Sequence, residues 1–222
     1  MKNLFIPILL GVAVSSFGQN IRSIDDMQNG GYISYTAVSN SGTIKYSDID
    51  GTPYLNKNLR ITTIANDYEK VTARYDSYQD VVEFKQNDEL RVLPKEAQFS
   101  RIEFTSPSET LVLENFPDNP LGYYFLLVEG NASLYKEVRT VFNEAEKAKS
   151  PYADDKLANF KLMDPSYYIK VGSKIFKKPK NQKEIIEALP GKKSEINSFV
   201  KKNNIKFNDE KDLVRFVKFL NQ

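Results

Sequence analysis

Between Leu59 and Phe142 the chain alternates apolar and polar positions in short runs, each closed by a polar turn. The runs are Arg60 to Ala65, Lys70 to Tyr75, Val81 to Lys85, Leu90 to Leu93, Phe99 to Phe104, Thr110 to Leu113, Tyr123 to Glu129 and Ser133 to Phe142. Their β-branched and aromatic content, at a period of two residues, predicts strands. The turns between them, such as Ser77 to Asp80, Asn87-Asp88 and Gly130-Asn131, are too short for a parallel crossover. The pattern therefore predicts an antiparallel β-meander, laid out as a sheet or closed toward a sandwich or barrel.

After Phe142 the pattern changes. Asn143 to Ser166, charged, Ala-rich and broken by Pro151 and Pro165, reads as a linker. A hairpin follows, Tyr167 to Val171 and Lys174 to Lys177, turning at Gly172-Ser173. The apolar period then lengthens from two to 3.6. Asn181-Gln-Lys-Glu184 resembles a capping box and opens a helix that Pro190-Gly191 stops. Lys193 to Lys202 places Ile196, Phe199 and Val200 on one face. A third helix runs from Asn208-Asp209 toward Leu220, with Leu213, Val214, Val217 and Leu220 at core spacing. Helices this short need a surface to pack on. The expected fold class is α+β: the meander, then a small basic three-helix C-terminal segment.

Residues 1–18 obey another rule. Lys2 precedes an apolar run from Leu4 to Val14, and Ser16 and Gly18 put small residues at the −3 and −1 positions before Gln19. That is the pattern of a secretory signal peptide. The run is shorter than the ~20 residues that cross a bilayer, so cleavage is expected rather than anchoring. No second long apolar segment follows, so the mature chain is expected to have no transmembrane segment. Export leads to the periplasm, the outer cell surface or the medium. The boundaries read as a polar segment over 19–50, a β domain over 51–142, the linker over 143–166, and the hairpin plus helices over 167–222.

Composition narrows the chemistry. Fourteen Phe and thirteen Tyr supply a core, but the chain has no cysteine and no histidine. Triads of the Ser-His-Asp and Cys-His kind, thiolate or imidazole metal sites, and disulfides are excluded. Carboxylate pairs, Ser-Lys dyads, tyrosine chemistry and oxygen-ligated cations remain open. Charge is uneven: Lys170 to Gln222 carries 14 Lys/Arg against 6 Asp/Glu, while the rest of the chain is net negative.

Five patterns bear on function. Asp48-Ile-Asp50-Gly51 resembles the start of a calcium loop, but Pro53 holds the third acidic position, which favours an Asx turn. No metal or cofactor is expected. Tyr75-Asp-Ser-Tyr-Gln-Asp80 gathers two carboxylates and two aromatics on one turn. It reads as a sugar-binding edge or, more simply, as a turn organised by Asp76 and Asp80 while Tyr75 and Tyr78 pack on the sheet. Glu83, Glu103, Glu114 and Glu129 offer a glycosidase-type pair, although their alternation with apolar residues marks a solvated sheet face. The strongest candidate surface is the basic tail: Lys177, Lys178, Lys180, Lys192, Lys193, Lys201 and Lys202, with Lys174 and Lys206 beside them. Lysine greatly outnumbers arginine here, which disfavours bidentate phosphate reading, so no specific nucleic acid is expected. Asn131-Ala-Ser133 matches a glycosylation sequon on a hairpin turn.

Gly51-Thr-Pro-Tyr-Leu55, Ala73-Arg-Tyr-Asp-Ser-Tyr-Gln-Asp-Val-Val-Glu-Phe84, Gly122-Tyr-Tyr-Phe-Leu-Leu-Val-Glu-Gly-Asn-Ala-Ser-Leu134 and Tyr167-Tyr-Ile-Lys-Val-Gly172 occur in that order, ahead of the Lys-rich tail. Together they resemble a group of exported Bacteroidota proteins with no established activity, over Gly51 to Gln222. The resemblance implies an exported bacterial envelope protein and carries over no functional residue. The expected function is a non-catalytic cell-envelope module that binds an envelope protein or an anionic surface polymer. The alternative is a carbohydrate hydrolase working through two carboxylates.

Overall fold

The computed structural model describes residues 36–39 and 42–222, apart from 66–67, 149, 151, 153 and 178. The expected signal peptide, Lys178 and residues 32–35 of the strand that the Tyr32–Val38 sequence suggests lie outside the described residues. A short hairpin, β1 (Thr36–Ser39) with β2 (Gly42–Lys45), comes first. The main sheet is built from β3 (Arg60–Ile64), β4 (Val71–Asp76), β5 (Val81–Gln86), β6 (Glu89–Val92), β7 (Arg101–Phe104), β8 (Glu109–Phe116), β9 (Asn119–Val128), β10 (Ala132–Glu137), β13 (Ser166–Val171) and β14 (Lys174–Lys177). A separate pair, β11 (Thr140–Asn143) and β12 (Asn159–Leu162), stands between β10 and β13 in the chain. Three helices follow: α1 (Lys183–Ala188), α2 (Lys193–Asn203) and α3 (Glu210–Leu220).

The ten strands run in the order β14-β13-β10-β9-β8-β7-β3-β4-β5-β6, and every neighbouring pair is antiparallel. The fold is thus the expected α+β meander with C-terminal helices. It is two four-stranded meanders, β3–β6 and β7–β10, joined through their first strands. Residues 93–100 bring the chain back from the outer edge, with Leu93 N–H bonded to Val82 and Leu113 N–H bonded to Ser100.

The sheet curls. Strands β4 and β9 are separated by three others, roughly 19 Å in a flat sheet at the usual strand spacing. Yet the Tyr75 ring lies 6.2 Å from Tyr123 and 5.8 Å from Phe125, centroid to centroid. The core enclosed by this curl includes Ile64, Phe84, Phe99, Ile102, Phe104 and Leu111, all almost fully buried.

Farther along, the same face of β9, β10 and β13 is covered by the helices. Leu134, Ile169, Ile185, Ile196, Leu213, Phe216 and Val217 have no exposed surface there. Helix α3 starts at Asp209, whose carboxylate accepts the Asp212 N–H at 3.0 Å. It ends at Asn221, whose amide gives and takes one 2.8 Å hydrogen bond with the backbone of Ala132. Gly130 allows this approach, because a Cβ there would overlap the Asn221 amide. The opposite face carries a tyrosine cluster of Phe116, Tyr124, Tyr135 and Tyr168. Leu121, at φ +59°, and a register shift between Glu114 and Phe116 bend the tip of the β8–β9 hairpin. That bend stacks Phe116 on Tyr168 at 4.8 Å.

Three expected elements differ in detail. The run from Phe99 begins as a 3-10 turn over Ala97–Phe99, because Phe99 turns into the core before β7 starts. The run from Ser133 to Phe142 is two strands, not one. It breaks at Val138, which is buried in the curled core, and β11 then leaves the main sheet to pair with β12. The segment expected as a linker therefore contains strand β12 and an antiparallel bridge between Glu146 and Lys156. At α1 the capping falls to Asn181, whose side chain accepts the Lys183 N–H at 2.9 Å. Among the described residues no helix is long and apolar enough to cross a membrane.

Candidate functional site

Folding disperses the tail lysines. Lys177 pairs with Asp118 and sits 5.4 Å from the Tyr168 ring centroid. Lys192 donates Nζ to the carbonyl of Leu220 at 3.3 Å, at the negative end of α3. Lys180, Lys193, Lys201 and Lys202 are exposed, as are Lys174 and Lys206.

The four glutamates do not form one group. Glu103 and Glu129 are exposed, and both pair with Arg101. Glu114 accepts from Tyr135 Oη at 3.2 Å and Lys170 Nζ at 3.4 Å. Glu83 corrects the expectation of a solvated face: its side chain is buried, with Arg74 Nε at 2.6 Å and Tyr54 Oη at 3.3 Å. The cause is the stretch before β3, which folds back over β4 and β5 and stacks the Tyr54 ring 3.8 Å from the Arg74 guanidinium. Asp50 accepts the N–H of its neighbour Gly51 at 2.8 Å, one residue on rather than the two of the expected Asx turn.

The Tyr75–Asp80 turn matters most. Asp76 is fully buried and accepts the N–H groups of Tyr78 (2.8 Å) and Gln79 (2.9 Å). Burial pushes its carboxyl up to about 6 despite these bonds. Asp80 takes a left-handed conformation, φ +56°, which Asp tolerates. Its carboxylate accepts from Tyr75 Oη (2.8 Å), Tyr123 N–H (3.2 Å) and Lys95 Nζ (2.7 Å). Burial, then the neighbouring Asp80, raises the Tyr75 hydroxyl well above its ordinary range. The simpler reading holds for the aspartates: both organise the turn.

The turn is also one wall of a cavity of about 460 Å³. A second wall is the chain switch from Glu137 to Glu144, and the third is the start of β9 at Asn119 and Tyr123. Ser77 and Thr140 join the first two walls through their hydroxyls, 2.7 Å apart, and a 3.0 Å backbone bond. Glu137, 5% exposed, accepts from Arg139 Nε (2.7 Å), Tyr168 Oη (3.0 Å) and Asn119 Nδ2 (3.4 Å). Arg139 is more than half exposed, and its terminal nitrogens have no partner among the described residues. Tyr123 Oη is buried with no hydrogen-bond partner among the described residues, which costs about 1–3 kcal/mol.

Sequence reasoning reaches Tyr75, Tyr78 and Asp80 here, but not Asn119, Tyr123, Glu137 or Arg139. These lie 40–60 positions downstream and arrive only through the curl of the sheet. The one local signal is Glu137-Val-Arg139, a charged interruption in a run otherwise read as a strand. Chemically, the site presents fixed acceptors, one planar donor group and half-buried aromatic rings. Searches of protein-family models, curated proteins and solved structures find no match to this chain.

Proposed function

We propose that this protein is an exported, non-catalytic module of a bacterial cell envelope that binds an envelope protein or a surface polymer. One observation carries the binding half of the reading. The cavity on the curled sheet has rigid walls, and its carboxylates are already bonded to groups of the chain. Pre-set polar groups of this kind suit recognition, since they need no reorganisation when a ligand arrives. The signal pattern of residues 1–18 and the resemblance to exported Bacteroidota proteins support the location. Two measurements test the proposal. Mass spectrometry of secreted protein should give Gln19 as its first residue, and the chain should sediment with isolated envelope fractions. Intracellular, unprocessed protein that leaves those fractions untouched would remove the proposal.

The hydrolase alternative rests on Asp80 and Glu137 lining one cavity. Against it, Asp80 is held by Lys95 and Glu137 by Arg139, so neither carboxylate stands open to the leaving group and water that a glycosidase pair must reach. Release of reducing ends from envelope polysaccharide, lost in Asp80→Asn and Glu137→Gln, would favour hydrolysis instead.

A further inference from the structure

We propose that the cavity between the Tyr75–Asp80 turn, Glu137–Glu144 and the start of β9 binds a neutral saccharide unit of an envelope polymer. This rests on the binding-module reading and names its ligand. Shape comes first. The site is concave and holds about 460 Å³, within the range of small-ligand sites and unsuited to a flat protein surface.

The aromatic rings come second. Tyr78 and Phe142 line the cavity and are half-buried. Phe160 fixes both from behind, at 5.2 Å from Tyr78 and 5.7 Å from Phe142. Rings held in this way offer an apolar face to the C–H side of a sugar, while its hydroxyls reach the polar walls.

Those polar walls are built rather than incidental. Glu137 is more than nine-tenths buried and holds Arg139 through Nε, leaving the rest of the guanidinium fork without a partner among the described residues. Tyr168 and Asn119 hold Glu137 in turn. The fork is therefore positioned by the scaffold before any ligand binds. Asp80, anchored by Lys95, adds a fixed acceptor for hydroxyl protons.

Charge decides between neutral and anionic sugars. Asp80 and Glu137 are each paired with a cation, Lys95 and Arg139, so the lining holds no excess positive charge to attract a uronate or phosphate. A neutral polyol gains hydrogen bonds from the same groups without needing that charge.

The test is calorimetric titration of the full chain with neutral tetrasaccharides of glucose, mannose, galactose and N-acetylglucosamine, with tetragalacturonate as the charged counterpart. At least one neutral tetrasaccharide should bind, and tetragalacturonate should not. Arg139→Gln should weaken that binding about ten-fold, the loss expected for hydrogen bonds from a charged donor. Some loss of thermal stability is expected, because the buried Glu137 loses its ion pair while keeping Tyr168 and Asn119, so binding is read below the variant's own unfolding transition. Phe142→Leu should weaken binding with Arg139 intact. Failure of every neutral probe, a preference for tetragalacturonate, or indifference to both variants overturns the proposal. Sedimentation with envelope fractions that survives Arg139→Gln would leave the binding module standing and remove the cavity from it. Loss of sedimentation in wild type removes both.

Discussion

Beneath the helices the buried side chains are aliphatic except for Phe216, whereas from β3 to β9 tyrosines and phenylalanines share the core with aliphatic residues. Leu134, Ile169, Ile196 and Leu213 ask nothing of their surroundings except close packing. Tyr75 and Tyr123 carry hydroxyls into the core, and a buried hydroxyl needs an acceptor. Tyr75 finds its acceptors in Asp80 and the carbonyl of Val138, both at the rim of the curl. Tyr168, on the opposite face, finds Glu137. The acceptors that tyrosine requires thus gather where the candidate cavity opens. An aliphatic core can be closed by helices; a tyrosine core leaves a polar seam.

The comparison predicts two kinds of fragility. In the helical half the cost should follow lost volume. Phe216 is fully buried and packs 5.1 Å from Phe207. Phe216→Ala should destabilise by about 4 kcal/mol in urea unfolding. A loss under 1 kcal/mol would mean that the helices are not sealing that face. In the curled half the cost should follow unpaired charge. Arg74→Ala strands the buried Glu83 carboxylate and should cost about 3 kcal/mol. Arg74→Ala with Glu83→Leu should recover most of it; a double variant as weak as the single would refute the charge explanation.

Legibility in the sequence follows the same division. Helix α3 is readable because Asp209 caps it and Leu213, Val217 and Leu220 repeat along one stripe, information held within 12 residues. Its fourth buried residue, Phe216, is not on the list of expected core positions, although it lies three from Leu213. The β13–β14 hairpin is readable because Gly172 adopts φ +57° at its turn. The cavity is not readable. Its walls come from segments far apart, and only the β3–β7 pairing and the curl bring them together. Nor does period-two alternation reveal that β5 is covered on both faces. That depends on where Tyr54 returns, and no local pattern records it.

The pH response sharpens the picture of the turn. Desolvation raises the Asp76 carboxyl to about 6 in the fold, against an ordinary value of 3.8. Between about pH 4 and 6 the folded chain keeps a proton that the unfolded chain releases, so this group's contribution to stability falls as pH rises through that window and is level above it. The loss is about 3 kcal/mol. Glu83 repels the charged form and Arg74 favours it, both less strongly than burial acts. Asp76→Asn keeps an oxygen for the Tyr78 and Gln79 amides and should remove this slope relative to wild type. Unfolding midpoints at pH 4, 5, 6 and 7 would show it, and parallel curves for the two proteins would contradict it. On the helical side a smaller effect is expected. Asn221→Ala breaks both bonds to Ala132 and should cost about 1 kcal/mol, with faster amide exchange at Ala132.

The smallest effect is the most telling, because its sign is reversed. Tyr123 Oη is buried beside the curled core without a hydrogen-bond partner among the described residues, while Lys95 lies 5.3 Å from the ring centroid. Desolvation, then the charge of Asp80, drives its ionisation far above the ordinary tyrosine range, so the hydroxyl stays protonated. Tyr123→Phe removes only that oxygen and keeps the ring, its 6.2 Å edge contact with Tyr75 and the backbone bond to Asp80. Removing an unsatisfied group should leave stability unchanged or raise it by up to about 1 kcal/mol. The matched change Tyr75→Phe deletes a hydroxyl bonded to Asp80 at 2.8 Å and should instead lower stability by a similar amount. If Tyr123→Phe proved as costly as Tyr75→Phe, the two hydroxyls would be equally satisfied, and the polar seam would extend deeper into the core than the cavity rim.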